Sequence, residues 1–285
     1  SSPFYHALQV CARDLSVPPD RFEQYRLLIF PDEPDTHCFV RCLLLGIRAW
    51  HDQTGVRHSA LQQYFSPDDN PVDAYARVQT CLDYVSNSCA ATESCTKAYW
   101  SLNCYKQQFG SYFFSREQFV PATDIQLAQA MFDCADKLDI SRSIVAAYRN
   151  GNRSELISSR NPCYVRCVAI SIDLYDDDAG LQWDHLYVQL GLNEHRENYL
   201  EQVHKVVSEL QLSTMDRCAA AAQVIEPFLL TALQQSRTAY RTGIVVETTA
   251  SITTTEVSVT KPMTTKTPST TIQMTKASTS APPTT

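Results

Sequence analysis

The sequence predicts an all-α protein: two helical domains in tandem, each stapled by disulfides, followed by a disordered Thr/Ser-rich tail. Three observations carry this. The phrases Cys38-Phe-Val-Arg-Cys42 and Cys163-Tyr-Val-Arg-Cys167 repeat one cysteine spacing about 125 residues apart. Each follows a lone cysteine, Cys11 lying 27 residues before Cys38 and Cys134 lying 29 before Cys163. A Cys-x3-Cys step on a helix puts both sulfurs on one face, one turn apart, where each can be tied to a different neighbouring helix. Second, only seven glycines occur in 285 residues, which argues against long arrays of β-hairpins with glycine turns. Third, the composition changes completely from Gly243: residues 248–285 are about half Thr and Ser, with no aromatics, and cannot bury a core.

Residues 1–120 read as the first domain. Apolar residues recur there at helical spacing between short turn signals. Pro31–Pro34 breaks the chain just before the first Cys-x3-Cys helix, and Ser66–Pro71 separates two more helices. Steps of three and four through Val72, Tyr75, Val78 and Leu82 predict one of them. The aromatic-rich residues 106–123 connect the halves. The second domain, residues 121–240, opens with a helix over about 123–138. Asn161-Pro162 starts the Cys163 helix, where proline suits the first turn. Asp176–Gly180 reads as a turn. Helices follow around 183–190, 194–210 and 213–236, the last with a bend at Pro227. Every element is helical on this reading. Residues 241–285 form the tail, whose Ser, Thr and Pro suit a mucin-like O-glycosylated stalk or a plain unstructured end.

Composition bounds the function. A net charge of −7 without a basic run argues against a nucleic-acid binder. No run of about 18 apolar residues exists, so no membrane span is expected. Eleven cysteines in regular register point to an oxidising compartment. Zinc is the rival reading, against which stand the absence of Cys-x2-Cys pairs and of a second ligand pair at metal spacing. The start, Ser-Ser-Pro-Phe, has neither a charged region nor an apolar one, as expected of a secreted, extracellular protein whose signal has been removed. Asn152-Arg-Ser154 is an N-glycosylation sequon, so the chain is expected to be a glycoprotein.

The first half holds Cys11, Cys38, Cys42, Cys81, Cys89, Cys95 and Cys104. With Cys89 set aside, this order resembles the six-cysteine signature of the insect odorant-binding protein superfamily, the pheromone-binding and general odorant-binding proteins. The stretch from Cys95 to Lys106 is similar to that family's sixth helix. The resemblance implies the pairs Cys11–Cys42, Cys38–Cys95 and Cys81–Cys104. In the second half Cys134, Cys163, Cys167 and Cys218 correspond to the first, second, third and fifth cysteines, implying Cys134–Cys167 and Cys163–Cys218. Cys89 is then left over, free, exchanging with Cys95, or joining two chains as a disulfide-linked dimer. The tandem form resembles the long-form salivary proteins of blood-feeding flies and the two-domain odorant-binding proteins. Pro34–Cys42 and the Gly46–Gly55 turn look particularly like the salivary group. The full six cysteines of the first domain and the Thr-rich tail depart from that pattern.

Such domains enclose an apolar cavity between helices, a common place for small-molecule sites. Wall candidates in the first domain are Leu44, Ile47, Trp50, Tyr64, Phe65, Tyr75, Val78, Tyr99 and Trp100. Trp50 stands eight residues after Cys42, where salivary relatives carry a ligand-contacting tyrosine; its indole offers one donor and a large apolar face. The second-domain set is Ile170, Leu174, Tyr175, Trp183, Leu186, Tyr199, Val203, Val207, Val224 and Phe228. Taken singly, each of these residues reads more readily as plain core than as a ligand contact. Relatives that capture biogenic amines use acidic groups on their last helices, because a buried cation needs a partner. Here that helix offers only Glu226, which favours an apolar ligand.

Catalytic signatures are lacking: no Gly-x-Ser-x-Gly elbow, no His-Glu-x-x-His, no phosphate-binding glycine loop. Asp184-His185 and Glu194-His195 read as solvated pairs, and Asp176–Asp178 as an acidic turn without the spaced ligands of a calcium loop. The sequence therefore predicts a secreted, non-enzymatic carrier or scavenger of small hydrophobic ligands, with no cofactor, metal or nucleic-acid partner. The ligand is a lipid, an odorant or pheromone, or an amine. The alternatives are a salivary scavenger of host biogenic amines and eicosanoids that counters haemostasis and inflammation, and a tail-tethered extracellular glycoprotein.

Overall fold

Proline opens helix after helix in the first half. Its fixed φ suits a first turn, and its missing N–H is one the helix leaves unpaired anyway. The computed structural model, which describes residues 2–65, 71–152 and 161–234, shows α1 (Pro3–Asp14), α2 (Pro19–Arg26), α3 (Pro34–Gly46) and α5 (Pro71–Ser88) all starting this way. The Ser2 hydroxyl caps α1 by accepting the Phe4 N–H at 3.3 Å. Between them lie the short α4 (His58–Leu61) with a 3-10 turn at Gln62–Tyr64, and then α6 (Ser94–Phe109).

Hydroxyl caps replace proline at two starts in the second half. Thr123 and Gln126 form a reciprocal capping box on α7 (Asp124–Lys137), and Ser141 caps α8 (Arg142–Arg149). Then come α9 (Asn161–Ser171), α10 (Trp183–Leu190), α11 (Arg196–Glu209), a 3-10 turn at Leu212–Thr214, and α12 over residues 217–234. The last helix begins later than the sequence predicts and runs unbroken through Pro227.

The all-helical expectation needs one correction. Two antiparallel hairpins of two-residue strands are present: β1 (Trp50–His51) with β2 (Gly55–Val56), and β3 (Tyr175–Asp176) with β4 (Gly180–Leu181). They occupy the same place in each half, 125 residues apart. Arg48 and Asp173 take left-handed φ of 62° and 58°, and Gly55 and Gly180 take 81° and 80°. Few glycines exclude long hairpin arrays, but one glycine per hairpin meets the positive φ that each turn requires.

The disulfides are Cys11–Cys42, Cys38–Cys95 and Cys81–Cys104 in the first half, with Cys134–Cys167 and Cys163–Cys218 in the second. Cys89 is free and half-buried. Each Cys-x3-Cys helix is thus bolted to two neighbours, and Phe4, Leu8, Tyr25, Phe39, Leu43 and Tyr105 fill the first core free of solvent. Met131, Val145, Tyr164, Val165 and Val203 do the same in the second.

Both halves lie within one compact unit, Ser1–Gly243. Polar contacts join them across α4 and α10: the Ser59 N–H donates to the Leu192 carbonyl at 2.8 Å, its hydroxyl donates to the Val188 carbonyl at 2.9 Å, and Arg57 donates to the Gln189 carbonyl. Two glutamines grip the connecting segment. Gln63 exchanges hydrogen bonds with the Phe119 backbone at 2.7 and 2.9 Å, and Gln189 does so with Ala122 at 3.1 and 2.6 Å. Most of the Ser66–Pro71 turn, the sequon's Ser154 and the Thr-rich tail lie outside the described residues. Among the described residues, no helix is long and apolar enough to cross a membrane.

Candidate functional site

Aromatic rings build the interior of the first domain. Phe4 meets Tyr64, Tyr112 and Phe114 at centroid distances of 5.6, 5.3 and 5.3 Å. Phe65 meets Tyr105, Phe109 and Tyr112 at 5.8, 6.0 and 5.2 Å. Tyr112 arrives there because the segment after α6 runs along residues 64–65. The Phe113 N–H donates to the Tyr64 carbonyl at 2.8 Å, and Phe65 and Tyr112 form a single β-bridge. The hydroxyls of Tyr64 and Tyr112 are buried and have no hydrogen-bond partner among the described residues. Burial raises both phenols above their ordinary range, so both remain protonated. Leu44, Ile47 and Val78 belong to the same solvent-free core.

Trp50 is buried on β1, but its donor is not available to a ligand. Its indole N–H donates to Asp52 at 2.8 Å, and Asp52 also accepts two bonds from Arg41. The hydrogen bond from Arg41 holds the Asp52 carboxyl below the usual carboxylate range. Trp50 therefore turns only an apolar face inward, which corrects the expectation of an indole donor. The second hairpin repeats the fastening: Asp177 accepts two bonds from Arg166, and Arg217 of α12 approaches it at 3.7 Å. Asp176 turns the hairpin, its carboxylate accepting the N–H groups of Asp178 and Ala179 at 2.8 and 2.7 Å.

Three first-domain candidates are half-buried at the edge of this interior rather than enclosed in it. Tyr99 donates to the Phe30 carbonyl at 2.9 Å and stacks on His37 at 4.2 Å, and Trp100 meets Tyr99 edge-on at 5.1 Å. The cause is helical register, since Ala98, Ser101, Leu102 and Tyr105 take the inner face of α6. Tyr75 faces the second domain, its hydroxyl donating to the Asn193 carbonyl.

In the second domain Tyr199 is 4% exposed and lies against Tyr187 and Phe228, with centroids 5.6 and 5.2 Å away. Its hydroxyl is buried without a partner among the described residues, and burial raises its pKa. Leu174, Leu186, Val203 and Val224 are buried in the same core, while Tyr175, Trp183 and Val207 pack half-buried against it. Trp183 lies 6.2 Å from His204. Ile170, 38% exposed, is not an interior residue, because Tyr164, Val165, Val168 and Ala169 occupy the buried face of α9. Asp184 is paired with Arg196 at 2.6 Å, and His185 stacks on Phe119 at 4.0 Å.

Phe4 and Tyr112 were missed as interior residues. Phe4 shares the helical spacing of Ala7, Leu8 and Cys11, which was a usable signal. Tyr112 sits in a segment read only as a connector, and no local pattern shows that it folds back. Among the described residues, no group of three or more His, Cys, Asp or Glu side chains is placed to hold a metal.

The model of the PBP/GOBP family matches the chain twice, over residues 3–108 and 116–228. Nothing among curated proteins matches. Solved structures of the Anopheles gambiae odorant-binding protein 22a are similar to part of the chain. The form with bound odorant cyclohexanone is 27% identical over 36% of this chain and 89% of its own, with a TM-score of 0.31. Another structure of the same protein is 26% identical over 36% of this chain and 96% of its own, with a TM-score of 0.32. Two successive family matches, each over a disulfide-stapled helical half with its own hairpin, place this chain in the PBP/GOBP family as a tandem of two such domains.

Proposed function

We propose that the chain carries or sequesters small hydrophobic molecules in the extracellular space and performs no chemistry on them. Its ligands are of the odorant, pheromone or lipid-mediator type. The domains are residues 1–120 and 121–240, and each would hold a ligand in its own interior. Family membership over both halves supports binding as the role.

The observation that carries the reading is the set of buried hydroxyls on Tyr64, Tyr112 and Tyr199, each without a partner among the described residues and amid apolar or aromatic neighbours. An unsatisfied buried hydroxyl costs about 1–3 kcal/mol, which a guest with an apolar body and one hydrogen-bonding group would relieve. Leu44, Ile47, Trp50 and Phe65 supply apolar wall in the first domain, as Leu174, Leu186, Val203 and Phe228 do in the second. A second reading, capture of an amine, has one observation in its favour: Glu226 of α12 is only 8% exposed.

Native mass spectrometry of protein purified without delipidation, with uptake of a fluorescent apolar probe, tests the proposal. A released molecule near one or two equivalents is the expected result, and its mass separates a lipid or odorant from an amine. In Tyr64→Phe, an alcohol or ketone ligand should bind about 5- to 10-fold more weakly, and a pure hydrocarbon equally well. A protein that is empty and takes up no probe would sink the carrier reading. A tail-tethered glycoprotein would then be tested by deleting residues 243–285 and following retention at the cell surface.

A further inference from the structure

We propose that the junction between the two domains is a latch that acid opens: two histidines, one from each domain, pack on one tyrosine ring and cannot take up a proton while the domains are docked. The first domain enters the junction through α4. The Ser59 N–H donates to the Leu192 carbonyl at 2.8 Å, its hydroxyl donates to the Val188 carbonyl at 2.9 Å, and the His58 N–H donates to Asn193 Oδ1 at 3.4 Å. Tyr75 of α5 donates to the Asn193 carbonyl. From the second domain, the Tyr187 hydroxyl of α10 lies 3.0 Å from Gln62 Oε1 and 2.9 Å from the Glu194 carbonyl.

His58 and His195 both meet the Tyr75 ring edge-on, with centroids 4.4 and 5.7 Å away. His58 is 3% exposed and spends Nδ1 on the Tyr105 hydroxyl at 2.6 Å. Its Nε2 and that of His195 are buried, with no partner among the described residues. The other ionisable groups around the pair supply no enclosed counter-charge. Tyr75, Tyr105 and Tyr187 are phenols that burial keeps protonated. Glu194 and Glu197 are exposed, Arg196 is paired with Asp184 at 2.6 Å, and Arg57 donates to the Gln189 carbonyl. Among the described residues, the one histidine within ion-pair distance of a carboxylate is His37, 2.6 Å from Asp32.

A neutral imidazole has one N–H and one acceptor nitrogen, whereas an imidazolium has two N–H donors. A proton on either docked ring therefore leaves a buried N–H unanswered and holds a charge out of water. A second proton adds repulsion across the Tyr75 ring. At His195, the N-cap residue of α11, a positive charge also meets the positive end of the helix. Parting the domains gives water to both rings, so proton uptake and opening are one equilibrium. The sign follows from His58, which burial and then the charge of His195 lower from 6.5 to about 3. The docked form lacks a proton that an opened form binds near 6.5. Docking is thus complete above that pH and weakens by up to about tenfold for each pH unit below it.

Hydrogen–deuterium exchange of the full chain at pH 7 and pH 4.5, corrected for intrinsic rates, tests this, with small-angle scattering to follow overall dimensions. At pH 4.5 the segments 57–62 and 187–195 should lose protection by about tenfold or more, while α3 and α9 stay protected and the radius of gyration rises. His58→Gln, whose carboxamide can still meet Tyr105, and His195→Gln should each reduce this acid response and keep the junction protected at pH 7. His6→Gln, on the exposed side of α1, should respond to acid as the parent does. If His58→Gln has already lost junction protection at pH 7, His195→Gln decides. Equal loss of protection in the junction and in both cores is global acid unfolding and overturns the proposal. So does a junction still protected at pH 4.5, or an acid response undiminished in His195→Gln. No ligand enters the experiment, so it stands or fails separately from the carrier function.

Discussion

In the first domain Cys81–Cys104 locks α5 to α6, whereas no disulfide joins the corresponding helices of the second domain, α11 and α12. Tyr199 and Phe228 lie 5.2 Å apart there, with Val203 and Val224 buried beside them. The shared parts are the Cys-x3-Cys helix, its two bridges and the hairpin fastened by an arginine–aspartate pair. The comparison separates what the backbone plan demands from what one copy can replace with packing. A cross-link restricts the unfolded chain, while an apolar contact acts only in the folded one, so the second domain depends more on a filled interior.

Emptying the core should have the largest effect. Phe39→Ala removes a fully buried ring stacked 4.1 Å from Tyr25 and should cost about 3–5 kcal/mol in urea unfolding. Phe228→Ala, at a less enclosed position, should cost less, yet it should abolish cooperative unfolding of the second domain before the first. A Phe228→Ala protein whose domains still unfold together would break the contrast.

Next come the bridges. Replacing Cys81 and Cys104 with serine should cost about 2–4 kcal/mol by chemical denaturation and leave a first domain with the second domain's two-bridge pattern. If ligand uptake by the first interior then survives, the third bridge serves stability alone.

His58 supplies an acid sensitivity that Trp183, its counterpart 125 residues later, does not. Burial, and then the charge of His195, lower His58 from 6.5 to about 3 in the folded protein. The unfolded chain binds that proton near 6.5 and the folded chain does not. The stability is therefore complete above pH 6.5 and is lost as pH falls toward 3, with a slope approaching about 1.4 kcal/mol per pH unit. Urea midpoints at pH 7 and 5 should shift less for His58→Gln than for the parent. Equal shifts would remove His58 as the cause.

The smallest effect concerns the hairpins. Asp177→Asn should cost about 1 kcal/mol and Asp52→Asn about 0.5, because the Asp177 pair is less exposed and has Arg217 nearby. Thermal melts would show the order, and a reversed order would mean that the Trp50 indole bond dominates the first hairpin.

Much of the fold was legible. The Cys-x3-Cys repeats and the Asn161-Pro162 helix start are local signals whose physics acts within a turn or two. The hairpins were half legible: the Asp176–Gly180 turn could be read, but two-residue strands are too short for alternation to register. Interior membership was less legible. Val168 and Ile170 look alike in sequence, yet one is buried in the core and the other exposed, because a two-residue step on a helix turns the side chain through most of a half circle.

By itself, then, the sequence determined a tandem of disulfide-stapled helical domains, because cysteine spacing and apolar periodicity are properties of the chain's own repeat. Only the tertiary structure decided that Tyr112 folds back against Phe65, that Asp52 consumes the Trp50 donor, and that Tyr75 faces the second domain. Those outcomes depend on residues far apart in sequence meeting in space, and no local spacing encodes such meetings.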